Sequence, residues 1–168
     1  NLDLKWDFNP TPTELISLTA FYKLIKNPIS RIEVASAGGY LSYENIADKA
    51  TVAGVEIEIR KNLFVRPVSN AAHGMNKLSL GLNGSYIYTN AKMPLATVTT
   101  GSQLEGAAPW IANFDLSHNF TKGERSFVNT LVLNYVSDKI YTIGTQGYQD
   151  IMEQGVLTLD FVSQAKLN

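Results

Sequence analysis

The sequence predicts an all-β chain: an antiparallel, up-and-down meander of about seven long strands, of the kind that forms a segment of a transmembrane β-barrel. Three observations predict it. The first is the stretch from Asp48 to Asn62, in which Val55, Ile57 and Ile59 alternate with Glu56, Glu58 and Arg60. Successive strand side chains point to opposite faces, so this is a strand with one apolar and one charged face. At roughly 3.3 Å per residue it would run to about 50 Å, far beyond the five or six residues usual in water-soluble domains. The second is that the same two-residue period recurs along the chain with almost no helical periodicity. The third is that long loops mostly alternate with short turns, as in outer-membrane barrels.

Taken in order, Leu2, Leu4, Trp6 and Phe8 alternate with Asp3, Lys5 and Asp7, which predicts the first strand. Asn9-Pro10-Thr11-Pro12 is a tight turn. The second strand spans 14–25, with Ile16, Leu18, Ala20, Tyr22 and Leu24 on one face; Phe21 is the exception on a face of Ser17, Thr19 and Lys23. Residues 26–44 read as a loop, with Asn27-Pro28, Gly38-Gly39, Tyr40 and Tyr43. After the third strand, residues 64–76 read as a connection of moderate length, containing Pro67, His73 and Gly74. The fourth strand spans 77–90, with Leu78, Leu80, Leu82, Tyr86 and Tyr88 opposite Ser79, Asn83 and Ser85.

A second loop, 91–106, leads to the fifth strand at 108–120, where Trp110, Phe114, Leu116 and Phe120 oppose Asn113, Asp115, Ser117 and Asn119. The polar turn 121–125 introduces the sixth strand at 127–140, a third loop covers 143–154, and the seventh strand is 155–167. Aromatics near strand ends (Trp6, Tyr22, Tyr86, Tyr88, Trp110 and Tyr141) suit interfacial girdles. The alternation by itself also suits a secreted or surface β-sandwich ligand-binding module, whose apolar face meets a second sheet, and a segment that folds alone could close into a small barrel or sandwich.

Composition narrows the function. The 168 residues carry a formal net charge of −1 and no cysteine. Near-neutrality gives no reason to expect a nucleic-acid partner, and a disulfide framework, a thiolate zinc site and a cysteine nucleophile are excluded. No apolar run reaches the roughly 18 residues of a membrane helix, and Asn1-Leu2-Asp3-Leu4 is not a signal peptide. The chain starts and stops inside strand-like pattern, which leads us to expect a piece of a longer protein, with residues 1–168 forming a single barrel segment.

Several stretches resemble TonB-dependent outer-membrane receptors, in the Bacteroidetes-type flavour. They are Leu15-Ile16-Ser17-Leu18-Thr19-Ala20-Phe21-Tyr22-Lys23 with Ile25-Lys26-Asn27-Pro28-Ile29, and Glu44-Asn45 leading into Ala50-Thr51-Val52-Ala53-Gly54-Val55-Glu56-Ile57-Glu58. Leu104-Glu105-Gly106-Ala107-Ala108-Pro109-Trp110-Ile111-Ala112-Asn113 is similar to a further family segment, with Ala107-Ala108 where Gln-Ser is common. Asn134-Tyr135-Val136-Ser137-Asp138-Lys139-Ile140, Asp150-Ile151-Met152-Glu153 and Leu159-Asp160-Phe161-Val162 follow in family order, with Ser137-Asp138 where a glycine-containing pair is often seen.

The resemblance implies the C-terminal part of a barrel of about 22 strands. It also implies a bacterial outer-membrane location and active uptake of a bulky nutrient such as an iron chelate, cobalamin, an oligosaccharide or a peptide. Expected partners are outer-membrane lipid, an extracellular nutrient ligand, and TonB through regions outside this chain. In the family, TonB draws on the inner-membrane proton gradient to shift a plug; the plug, the TonB box and an aromatic C-terminal residue do not occur in these residues.

No chemistry of an enzyme converges in the sequence. Glu56 and Glu58 share a face, but with Arg60 they read as a solvated wall. His73 and His118 are isolated, so a metal site is not expected, nor is a cofactor. No nucleophile elbow or phosphate-binding glycine loop occurs. Catalytic, cofactor and metal residues are therefore expected to be none, and ligand-binding residues stay unassigned. Tyr40 and Tyr43 suit stacking on a sugar or aromatic ligand, and suit better a place in the girdle or packing within the loop.

Overall fold

The computed structural model describes residues 1–34, 38–68, 74–93 and 102–167. Seven long strands form one antiparallel sheet: β1 (Leu2–Phe8), β2 (Leu15–Lys26), β5 (Lys49–Pro67), β6 (Met75–Ala91), β7 (Trp110–Lys122), β8 (Arg125–Val136) and β11 (Val156–Lys166). They pair in chain order, each with the next long strand, which is the up-and-down meander expected from the sequence. Four short strands lie in the connections: β3 (Ile29–Glu33) with β4 (Leu41–Asn45), and β9 (Lys139–Thr142) with β10 (Ile151–Glu153).

Register turns the alternation of each strand into continuous bands. One rung runs Trp6, Leu18, Ile57, Gly84, Ala112, Tyr135, Leu157 across all seven strands. Two residues along, another runs Phe8, Ile16, Ile59, Leu82, Phe114, Leu133, Leu159. Between them, on the opposite face, lies Asp7, Ser17, Glu58, Asn83, Asn113, Asn134, Thr158. A one-residue slip at any pair would transfer that strand's apolar side chains to the polar face, so the pattern fixes the register.

The apolar face is not covered. Leu4 is 73% exposed, Phe161 68% and Leu159 65%. No second sheet lies on it among the described residues, and β1 and β11 are both unpaired on their outer edges. The sandwich and the small closed barrel are thereby corrected: the sheet is an open wall.

All three long connections leave the same end of this wall; the turns at 9–14 and 123–124 lie at the other, where β5 also ends at Pro67 and β6 begins at Met75. The apparent exception after the third strand disappears, because β5 continues to Pro67 and β6 begins at Met75. A β-bulge between Asn62 and Phe64 explains why the sequence looked like loop there. One extra residue flips the alternation, so Phe64 and Arg66 join the apolar face out of phase with Ile57 and Ile59. The sixth strand is shorter than expected: it ends at Val136, and Lys139–Thr142 turns away as β9.

Phe21 is explained by Gly54, its cross-strand partner on the polar face. The Phe21 ring lies where a β-carbon on residue 54 would sit, so the glycine makes room for the ring and the ring covers the bare backbone. Gly81 does the same for the Asp115 carboxylate.

The loop cap and the charged wall

At the loop end the polar face changes character. Ala50 and Ala91 pair there, followed by Val52 and Thr89, and the loops fold down onto them. Ile32, Ile46, Ala47, Leu104, Ile140 and Ile143 complete a buried apolar cluster. Ile140 and Ile143 are fully buried. The best-packed core of the chain is therefore a cap built by all three connections on the inner, polar side of the wall.

Backbone and side-chain bonds tie the loops together. Ile32 and Ile143 form a parallel bridge: Ile143 N–H donates to Arg31 O at 3.0 Å and Glu33 N–H to Ile143 O at 3.1 Å. The Thr145 hydroxyl donates to Glu33 O at 2.7 Å. The middle loop joins through Glu105, which accepts from Arg31 N–H at 2.7 Å and from the Arg31 guanidinium at 3.0 Å. That guanidinium lies 3.8 Å from the centroid of the Tyr141 ring. One arginine thus connects all three loops, by charge-assisted hydrogen bonds to one and a cation–π contact to another. The Glu105 bond holds Arg31 still more firmly in its charged form.

Tyr141 consequently belongs to the cap rather than to a girdle at a strand end. Tyr43 stands opposite Arg31 on β4 and is 68% exposed, so it does not pack within the loop. Tyr40 is exposed as well. Tyr22, Tyr86, Tyr88 and Trp110 lie exposed on the apolar face toward the loop end, with the Tyr86 and Trp110 rings 4.5 Å apart. Trp6 instead stacks on Phe8 further toward the turns.

Below the cap the wall is charged and hydrogen-bonded. Arg60 bridges to Glu58 at 2.6 Å, which neutralises part of the carboxylate pair anticipated at Glu56 and Glu58. A groove of about 300 Å³ is lined by Glu58, Arg60, Asn62, Lys77, Ser79 and Asp115, among others. At its turn end, buried Glu14 accepts from Asn62 N–H at 3.0 Å and meets Lys61 at 3.2 Å. The Asn62 bond first, then Lys61, holds the Glu14 carboxyl below the usual glutamate range, so the clamp is ionised at neutral pH. It fastens the first turn to β5.

His118 lies on the apolar face opposite Leu78, and its Nε2 is 2.8 Å from Asn76 Oδ1. That polar pair marks the turn-side edge of the apolar band. His73 lies outside the described residues. Among the described residues no group of three His, Asp or Glu is placed to hold a metal ion.

The family model for the TonB dependent receptor-like β-barrel matches residues 1–161. No curated protein and no solved structure matches the chain. The match covers six of the seven long strands completely and the first part of β11. The chain belongs to the TonB-dependent receptor β-barrel family, whose members are receptors for nutrient uptake in the bacterial outer membrane.

Proposed function

We propose that this chain is the wall and extracellular-loop segment of a longer receptor that actively takes up a bulky nutrient. The ligand is an iron chelate, cobalamin, an oligosaccharide or a peptide. One observation carries the reading: all three long connections rise from the same end of the wall and fuse into one cap over its polar face. In a barrel of this family the polar face is the interior, so the cap stands at the mouth of the passage. Its exposed Tyr40 and Tyr43 offer flat surfaces to an incoming ligand.

The exposed apolar face meets lipid. From Trp110 to Phe120 on β7 it extends about ten residue steps, and at a tilt of roughly 40° these cover about 25 Å, the height of the apolar band of such barrels. The extracellular ligand docks on the cap, and TonB engages regions outside this chain. The segment itself contributes the fixed wall, not the moving part.

The test is deletion of the gene for the whole receptor in its native bacterium, with uptake measured for labelled members of each nutrient class. Loss of uptake of one class, reproduced in undeleted cells by a proton uncoupler, is expected. Unchanged uptake of all four classes would overturn the proposal.

A further inference from the structure

The groove on the polar face holds two opposite charges that do not pair. Glu58 and Arg60 line it as a bridged couple. Lys77 and Asp115 line it too, and among the described residues neither side chain makes an ion pair or a hydrogen bond. Both residues are half-buried. A half-buried charge without a partner gives up part of its hydration and gains nothing for it.

Register holds the two apart. Asp115 stands opposite Gly81, and its carboxylate lies where a β-carbon on residue 81 would sit. Lys77 is four residues along β6 from that glycine, about 13 Å at roughly 3.3 Å per residue, and the even step keeps it on the same face. Arg60 flanks Gly81 on the other side, but it is engaged by Glu58. Halfway between Gly81 and Lys77 stands Ser79, whose hydroxyl donates to Asn62 Oδ1 at 3.1 Å and keeps lone pairs for a further donor.

The charges of the groove cancel. Glu58, Arg60, Lys77 and Asp115 supply two of each sign, and Lys61 is neutralised by Glu14. Such a groove does not select an anionic chelate. No aromatic ring lines it, so it lacks the flat face on which a sugar stacks. Its volume of about 300 Å³ stands at the lower end of small-ligand sites. An extended tripeptide spans about 10 Å, and the lysine stem covers the remaining distance. We propose that this groove binds a short peptide with free ends, its ammonium on Asp115, its carboxylate on Lys77 and a main-chain N–H on Ser79. The proposal rests on the uptake reading and narrows its four nutrient classes to peptides.

The experiment is titration calorimetry on the purified whole receptor. The probes are trialanine, N-acetyl-trialanine, trialanine amide and maltotriose. The wild type is expected to bind trialanine and to lose about tenfold or more in affinity when either end is capped. Acetylation is expected to cost little in Asp115→Asn, and amidation little in Lys77→Gln, because each variant has already lost the contact that the cap removes. Heat-modifiable gel mobility reads the folding of both variants, and the capped probes on the wild type decide the matter even where a variant does not fold. Absence of trialanine binding, indifference to capping, or equal binding of maltotriose would overturn the site. Uptake is judged separately. Proton-driven uptake of another nutrient class without trialanine binding overturns the site alone. Trialanine binding with all uptake unchanged in the deletion strain upholds the site and overturns the uptake reading.

Discussion

Replacing Ile140 and Ile143 together by alanine will open the loop cap while leaving the wall in place. Both side chains are fully buried, and each truncation removes about 2–5 kcal/mol of packing from a cluster with few members. The loss is local, because among the described residues the cap core meets the long strands near the rim, at Ala50, Val52, Thr89 and Ala91. Hydrogen exchange on the whole receptor is the measurement. Exchange is expected to accelerate in all three connections, at 29–33, 102–107 and 139–145, with the centres of β5 to β8 unchanged. The three should accelerate together, since Arg31 is bonded to Glu105, stacked on Tyr141 and bridged to Ile143 through its own carbonyl. Acceleration confined to the third connection would show that the loops are independent, contrary to the cap described above.

The second large effect concerns neighbouring residues on β6. Leu82 points from the apolar face between Ile59 and Phe114, and Asn83 points from the polar face between Glu58 and Asn113. Arginine at 82 would place a charge near the middle of the lipid-facing band, at a cost of about 2–4 kcal/mol. Arginine at 83 would enter a wet, polar wall near Glu58 and Asp115. Leu82→Arg is expected to lower the amount of folded receptor in the outer membrane severely, read by heat-modifiable gel mobility. Asn83→Arg is expected to leave it near the wild-type level. Equal loss in both variants would mean that the two faces do not meet different solvents.

The wall was legible in the sequence because a single rule, apolar residues at every second position, holds along most of the long strands, with exceptions such as Phe21 in β2 and Val132 and Val136 in β8. Leu2, Leu4, Trp6 and Phe8 fixed β1 to its exact observed bounds, Leu2–Phe8. The rule failed where local geometry breaks the period. The bulge beside Asn62 disguised the last part of β5 as a connection. In β3, Ser30 and Ile32 are buried while Ile29 is exposed, so apolar residues fall on both faces and no two-residue pattern stands out.

The cap was hidden for a different reason. Its defining contacts join residues far apart in the chain: Arg31 with Glu105, and Ile32 with Ile143. No periodicity within one loop encodes them. Tyr141 shows the consequence. It continues the alternation of β8 in sequence, yet the chain leaves the sheet at Ser137, where Ser137 and Trp110 exchange hydrogen bonds, and carries Tyr141 to Arg31.

The central claim is that one face of this sheet meets lipid and the other lines a polar interior. The most direct measurement is a single-cysteine scan of β6 in the reconstituted whole receptor, which is clean for this segment because it contains no cysteine. Nitroxide labels at each position would be tested for collision with oxygen, which concentrates in hydrocarbon. The account predicts a two-residue period with maxima at Leu78, Leu80, Leu82, Tyr86 and Tyr88 and minima at Ser79, Asn83 and Ser85. A flat profile, or maxima on Ser79, Asn83 and Ser85, would contradict it.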